Sequence, residues 1–367
     1  MMAALKDKIT TSQAAIIVTN FILGIGILTL PRVSVEKVKT PDVWLSVIIG
    51  GLIAMIIGAI VGQLCRMHPG KTFYQFSMDI MGKWFGRLLN ILVAAYFLYN
   101  SATILRSMSE IIKLLLLEGT PTWAIMMSFM WVGVYLIIGG INPIARLSEL
   151  IFPITVVVYL VTILMGLGLF EIGNLRPVLG LGIMPVLKGL KTTALPYSGF
   201  EIMFIISAFM SKPDKAIKAA LIGIAVPMIY YLITVVIVIG VLSVDGVVDR
   251  TWPTIDLLRS FELTGIFFER YESLFLILWI MHMYATYTVT HYAAALGLAQ
   301  LFQKDIHPFI YGLLPAIYIL ATIPKTINDI FKSGTVIGNV AFFLFGVMPL
   351  LLLLVSRLRR RPSETIA

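Results

Sequence analysis

The sequence predicts an all-α integral membrane protein of about ten transmembrane helices in a 5+5 inverted repeat, with helices 1 and 6 discontinuous. Composition is the first reason: 59% of the 367 residues are hydrophobic and 13% charged, at a mean hydropathy of +0.96. A soluble domain carries about 25% charged residues. The second reason is a series of apolar runs close to the roughly 17–25 residues that cross a hydrocarbon core, separated by charged or Pro/Gly-rich breaks. The third is glycine and proline clustered at the head of each half, where they weaken the helix ladder.

The spans fall near 10–31, 41–65, 86–114, 122–139, 144–170, 190–211, 216–243, 269–302, 308–325 and 334–357. Continuous apolar runs make these helices, since a barrel strand would alternate over about ten residues. The first span follows the basic start MMAALKDKIT, but no small-residue cleavage site follows it and Asn20 interrupts the apolar run. It therefore reads as a retained helix, not a leader. Five spans per repeat is an odd number, so the second set enters from the opposite face. The whole chain, 1–367, reads as a single transmembrane domain with repeat halves at 10–170 and 190–358 and a cytoplasmic tail at 358–367.

The net charge of +9 is scattered through short loops and so reads as topology, not as a nucleic-acid surface. Basic clusters at 212–218 and 357–361 abut span ends on the face that carries both termini, which predicts both termini in the cytoplasm. Acids collect on the other face, where Asp245, Asp249, Asp256, Glu262, Glu269 and Glu272 occupy the longest loop. A short surface helix is expected there from Pro253. Cys65 is the single cysteine, which rules out an intramolecular disulfide and thiolate metal clusters.

Gly24-Ile25-Gly26-Ile27-Leu28-Thr29-Leu30-Pro31 lies in the first span, and Ala194-Leu195-Pro196-Tyr197-Ser198-Gly199-Phe200-Glu201 in the sixth. Backbone groups freed at such breaks are tolerated in a membrane only where protein or a cavity satisfies them. Freed N–H groups favour a carboxylate and freed carbonyls an ammonium, so a small zwitterion is the natural guest. Glycines that merely allow close helix packing are the alternative. The expected ligand contacts are Gly24, Ile25, Gly26, Thr29, Tyr197, Ser198, Gly199 and Phe200, with Pro31, Pro196 and Glu201 in coupling or gating roles.

The first motif resembles the G-x-G-(I/V)-x-x-x-P signature in the first helix of amino acid/polyamine/organocation transporters, and Tyr197 to Glu201 resembles their sixth-helix small-residue, Gly-Phe-Glu segment. Length, span count, short basic N-terminus and basic tail are similar to the spore germination permease branch, the GerAB-like B subunits of nutrient germinant receptors. The resemblance implies a LeuT-type fold and location in the spore inner membrane. It also implies a complex with an A subunit and a C-subunit lipoprotein, and sensing of a nutrient, typically an amino acid. Some proton-coupled relatives carry a lysine in the fifth helix beside the first break; span 144–170 has none.

Glu201 is expected deep in the bilayer, capping freed groups at the sixth-helix break or changing protonation on ligand binding. Glu149 lies close to Arg146 and is expected to pair with it at the interface. In the third span, steps of four and three bring Tyr96, Asn100, Thr103, Ser107 and Glu110 onto one face, with Arg106 and Glu110 spaced to pair. Tyr96 and Asn100 are the ligand candidates of that stripe, and interhelical hydrogen bonding is its alternative role. In the eighth span Tyr284, Thr288 and His291 share one face while His282, Thr286 and Thr290 share nearly the opposite one. Thr286 and Thr288 are both retained, because the sequence does not choose the face, and the histidines are too far around the helix to share a metal. Phe342 and Phe345 of the tenth span are candidates for pocket walls.

No phosphate loop, dinucleotide glycine pattern, metalloprotease motif or Ser/His/Asp arrangement is present, so no enzyme activity, cofactor, metal or nucleic-acid partner is expected. A possible coupling ion, proton or sodium, stays open. The expected function is a germinant-receptor B subunit binding a small amino acid within the lipid bilayer, with a coupled amino acid transporter and a ligand-gated ion leak as rivals.

Overall fold

The computed structural model describes residues 7–260 and 271–360. Among them the regular elements are helical, and β-type pairing is confined to an isolated parallel bridge between Ile9 and Met210. The first half comprises α1 (Thr11–Val38), α2 (Val43–Met67), α3 (Phe73–Met81), α4 (Lys83–Leu115), α5 (Thr122–Ile138) and α6 (Ile141–Leu167). The second comprises α7 (Met184–Ala194), α8 (Met203–Ile206), α9 (Ala216–Val248), α10 (Pro253–Arg259), α11 (Tyr271–Phe302), α12 (His307–Thr322), α13 (Ile327–Ala341) and α14 (Met348–Arg360).

Helix α1 starts where a capping box allows it: Gln13 N–H donates to the Thr10 hydroxyl at 3.1 Å and Thr10 N–H to Gln13 Oε1 at 2.8 Å. Its two halves, Thr11–Gly24 and Gly26–Val38, meet at 50°. Six described helices are long and apolar enough to cross a bilayer, and α1 becomes a seventh with its halves taken together. The other three expected spans correspond to the shorter apolar helices Thr122–Ile138, Phe200–Phe209 and His307–Thr322. Expected residues 262 and 269 and the end of the tail, 361–367, lie outside the described residues.

Four elements differ from expectation. Helix α3 is too short to register as a span, yet it buries Phe73, Tyr74, Phe76, Ser77 and Ile80 and sends the Tyr74 hydroxyl to Ala293 O at 3.1 Å. Helix α9 runs past 243 because its chain kinks at Ser243, at φ 62°, and resumes. The tenth span is divided by a π-helical segment, Phe342–Val347, between α13 and α14. The short helix expected from Pro253 is α10, but it is not a surface element: Pro253, Thr254, Ile255, Leu257 and Leu258 are buried where it packs against α1, α9 and α11.

Helix α1 is central, packed against α2, α6, α7, α9, α10 and α11. Small residues let backbones close in, as membrane helices require in place of a hydrophobic drive: a Cβ on Gly62 of α2 would lie 2.7 Å from Ile217 Cα of α9. The chain's start is pinned to one face. Ile9 N–H donates to Phe209 O at 2.8 Å, Ser211 N–H returns to Ile9 O at 2.9 Å, and Asp7 accepts from Ile141 N–H and the Asn142 amide. Large apolar side chains such as Trp131 and Tyr135 of α5 stay exposed on the perimeter, where lipid tails meet them.

Candidate functional site

An α-helical carbonyl expects the N–H four residues on. Pro31 has no N–H, so the carbonyl of Ile27 loses its partner, and the 50° bend opens the ladder around Ile22. Both acceptors are served from other helices. The Thr254 hydroxyl of α10 donates to Ile27 O at 3.1 Å, and the Tyr231 hydroxyl of α9 donates to Ile22 O. The same Tyr231 hydroxyl stands 3.3 Å from Pro196 O in the sixth span, so one proton serves a carbonyl of each broken helix.

The sixth span unwinds between Ala194 and Met203 into two short 3-10 turns, Leu195–Tyr197 and Phe200–Ile202, with Ser198 extended and Gly199 at φ 138° between them. Glycine is required at that φ, and a Cβ there would also lie 2.7 Å from Phe21 Cδ1 and 3.1 Å from Ile22 N. The two breaks therefore touch. Glu201, fully buried, takes up the freed donor: its Oε2 accepts from Gly199 N–H at 2.6 Å and its Oε1 from the Tyr96 hydroxyl at 2.6 Å. Asn100, one turn along α4, is buried on the same face. The capping geometry anticipated for Glu201 is present.

Each candidate can now be placed. Gly24 lies against Thr286, whose Oγ1 would be 2.8 Å from an added Cβ, and Gly26 lies against the Tyr231 ring. Ile25 sits between them at the bend, Thr29 is half-buried and Pro31 buried in the second half of α1. Pro196 and Ser198 are half-buried and Phe200 buried at the sixth-span break, while Tyr197 turns toward α2 and donates to Val47 O at 3.0 Å.

Several candidates are not brought together. Thr288 faces Gly133 of α5, so the eighth-span face that meets the first break is that of His282, Thr286 and Thr290. Phe342 is 55% exposed, and Phe345 instead packs edge-on against Tyr96 at 4.9 Å. The π-helical segment supplies the reason, because its wider turn rotates positions 342–347 off α-helical spacing. Thr103 and Ser107 donate back to Tyr99 O and Thr103 O on their own helix, so their hydroxyl protons are not offered across to another helix. Arg106 and Glu110 pair at 3.1 Å as spaced. Glu149 accepts from the Gln13 amide at 3.0 Å, and no Arg146–Glu149 ion pair occurs among the described residues, because α1 delivers a closer partner. No trio of His, Cys, Asp or Glu among the described residues is placed to hold a metal.

Tyr231 and Thr254 were not singled out by the sequence. The signal was there for the first: the pair Tyr230-Tyr231 interrupts the apolar run of span 216–243, and a buried tyrosine hydroxyl needs a partner. Replacing Tyr231 with Phe leaves Ile22 O unpaired in an apolar junction, an expected loss of about 1–3 kcal/mol in a denaturation series. Thr254→Val should release the second half of α1 from α10. Amide exchange over 26–38 is expected to rise while α4 and α9 keep their protection.

A family model described as spore germination protein matches residues 8–330, with both breaks inside it. The chain belongs to the spore germination protein family. It is 52% identical to spore germination protein YndE of Bacillus subtilis (strain 168) over 98% of this chain and 99% of the relative. Spore germination protein A2 of the same organism is 32% identical over 96% and 97%, and spore germination protein GerLB of Bacillus cereus 26% over 97% and 96%. Two solved structures share the fold at a TM-score of 0.70 each. One is Mhp1, a nucleobase-cation-symport-1 family transporter, closed with bromovinylhydantoin bound, at 14% identity over 97% of this chain and 80% of that one. The other is MhsT in complex with L-phenylalanine, at 11% identity over 96% and 99%. This spore germination protein is thus an integral membrane protein with the helical architecture of LeuT-fold transporters.

Proposed function

We propose that this protein is the B-subunit-like component of a spore nutrient germinant receptor and binds a small amino acid where its two broken helices meet. The observation that carries this reading is the contact of Gly199 with Phe21 and Ile22, which sets a freed N–H beside freed carbonyls. Each is now held by one replaceable side chain: Glu201 stands where a ligand carboxylate would sit, and the Tyr231 hydroxyl where an ammonium would donate. A zwitterion exchanges with both at once, so binding must move α1 relative to the sixth span, and that movement is the signal. Tyr96, Asn100 and Phe345 then wall the side-chain end, with Thr286 beside Gly24.

The relatives' names and the L-phenylalanine in MhsT support an amino acid ligand and a role in germination. The partners are an A subunit and a C-subunit lipoprotein in the spore inner membrane, with both termini on the core side and repeat halves at 10–170 and 190–358. A coupled transporter is the second reading, supported by the two transporter neighbours. The ion-leak reading would need the polar stripe of α4 as the lining, and Thr103 and Ser107 there give their hydroxyl protons to their own helix.

The test is binding and uptake of labelled amino acids by the full chain in proteoliposomes, with and without proton and sodium gradients. Saturable binding without accumulation is expected. Gradient-driven accumulation would make the protein a transporter, and absence of binding by the chain and by its assembled complex would remove the amino acid reading.

A further inference from the structure

Beside the bend of α1 lies a cavity of about 20 Å³ between α1, α6 and α11, lined by Leu23, Ile27, Thr155, Val158, Tyr159, Phe275, Leu278, Trp279 and His282. Its walls are apolar except at one place. His282 and Trp279 are 4% and 3% exposed, and His282 Nδ1 and Trp279 Nε1 have no hydrogen-bond partner among the described residues. Buried polar atoms rarely stay unpaired without a reason. The other histidine nitrogen is engaged: Nε2 is 2.8 Å from the Thr155 hydroxyl, whose own proton goes to Ile151 O at 2.9 Å. That network leaves the proton on Nε2, so Nδ1 is a bare acceptor on a residue that lines the cavity. The space is enough for about one water, which Trp279 N–H and His282 Nδ1 would hold between them.

We propose that His282 Nδ1 is a proton-binding site linked to opening of the second half of α1. The α1 wall of this cavity is Leu23 and Ile27, residues on either side of the bend. A charged imidazolium enclosed by Leu23, Ile27, Val158 and Phe275 meets no counter-charge among the described residues lining the cavity and little water, so protonation favours a state in which the α1 wall moves away and solvent enters. Among the described residues lining the cavity, Tyr159 of α6 is the other titratable group, and its hydroxyl is already bonded to Tyr230 O at 2.6 Å. On α4 the charged pair Arg106–Glu110 is closed on itself, and on α10 Asp256 lies 3.9 Å from Arg250. A second cavity of about 10 Å³, sharing Ile27, Tyr159 and Phe275 with the first, continues past the hydroxyls of Thr234 and Thr254 toward α10.

The proposal uses the α1 movement invoked for ligand binding but no amino acid, so it is tested without one and fails independently of that reading. Ile27→Cys is placed in the full-length purified protein, with the unsubstituted protein, whose Cys65 is buried, giving the background. Maleimide labelling rates are measured between about pH 5 and 8, each divided by the rate for the SDS-unfolded protein at the same pH to remove the thiol's own ionisation. Normalised labelling is expected to rise by about tenfold toward acid pH, and His282→Gln should flatten the profile. An unchanged profile in His282→Gln, or a flat one in its parent, overturns the proposal. If that variant fails to fold, Thr155→Val decides: it removes the Nε2 partner and keeps the imidazole, so the profile must move along the pH axis. An unmoved profile overturns the proposal equally.

Discussion

Gly26→Ala is expected to abolish ligand response and to cost about 2–6 kcal/mol of stability, summing overpacking with the loss of a buried hydrogen bond. The added Cβ would overlap the hydroxyl and ring of Tyr231, a fully buried side chain with no room to swing aside. If Tyr231 is forced out, Ile22 O and Pro196 O both lose their donor at the contact between the two broken helices. The substitution thus strikes both halves of the protein through one atom. Thermal denaturation of the purified protein measures the loss, and amino acid binding measures the site. A double-mutant cycle with Tyr231→Leu isolates the cause: the second change opens the space, so the pair should cost clearly less than the sum of the singles. Ligand affinity retained in Gly26→Ala would put the binding site elsewhere.

Glu201 gives the second large effect, and the choice of replacement determines its sign of use. Its two oxygens accept two buried donors, Gly199 N–H and the Tyr96 hydroxyl. Leucine leaves both unpaired, for an expected loss of about 2–6 kcal/mol at roughly 1–3 per orphaned group. Glutamine keeps one acceptor for Gly199 N–H, and its NH₂ can donate to Tyr96, whose hydroxyl accepts as readily as it donates. Glu201→Gln should therefore fold with a loss of about 1 kcal/mol or less. If the carboxylate also acts in the response, the Gln protein will melt near wild type yet fail to respond to amino acid in germination assays or in binding. Normal response in Glu201→Gln would leave the carboxylate a cap and nothing more.

The spans were legible because hydropathy is a local property: α2, α4, α6, α9 and α11 lie where continuous apolar runs demanded them. The breaks were legible for the same reason, since Pro31 lacks an N–H whatever surrounds it and Gly199 is free to take φ 138°. Glu201 stood out as an acid in an apolar run, which must be satisfied or be functional. Helix α3 was hidden by its length, and the placement of Phe342 by a π-helical segment that no periodicity of 3.6 anticipates.

What the sequence by itself determined is thus the membrane architecture, the positions of the two weak points and the type of group they liberate. Only the tertiary structure decided who answers them. Tyr231 reaches Ile22 across 209 residues, Thr254 reaches Ile27 across 227 and Tyr96 reaches Glu201 across 105. The choice of Thr286 over Thr288, and of Gln13 over Arg146 as the partner of Glu149, depends in the same way on how each helix is rotated against its neighbours. A freed backbone group is a consequence of local chemistry, but its partner is selected by the packing of helices whose order along the chain says little about their distance in space.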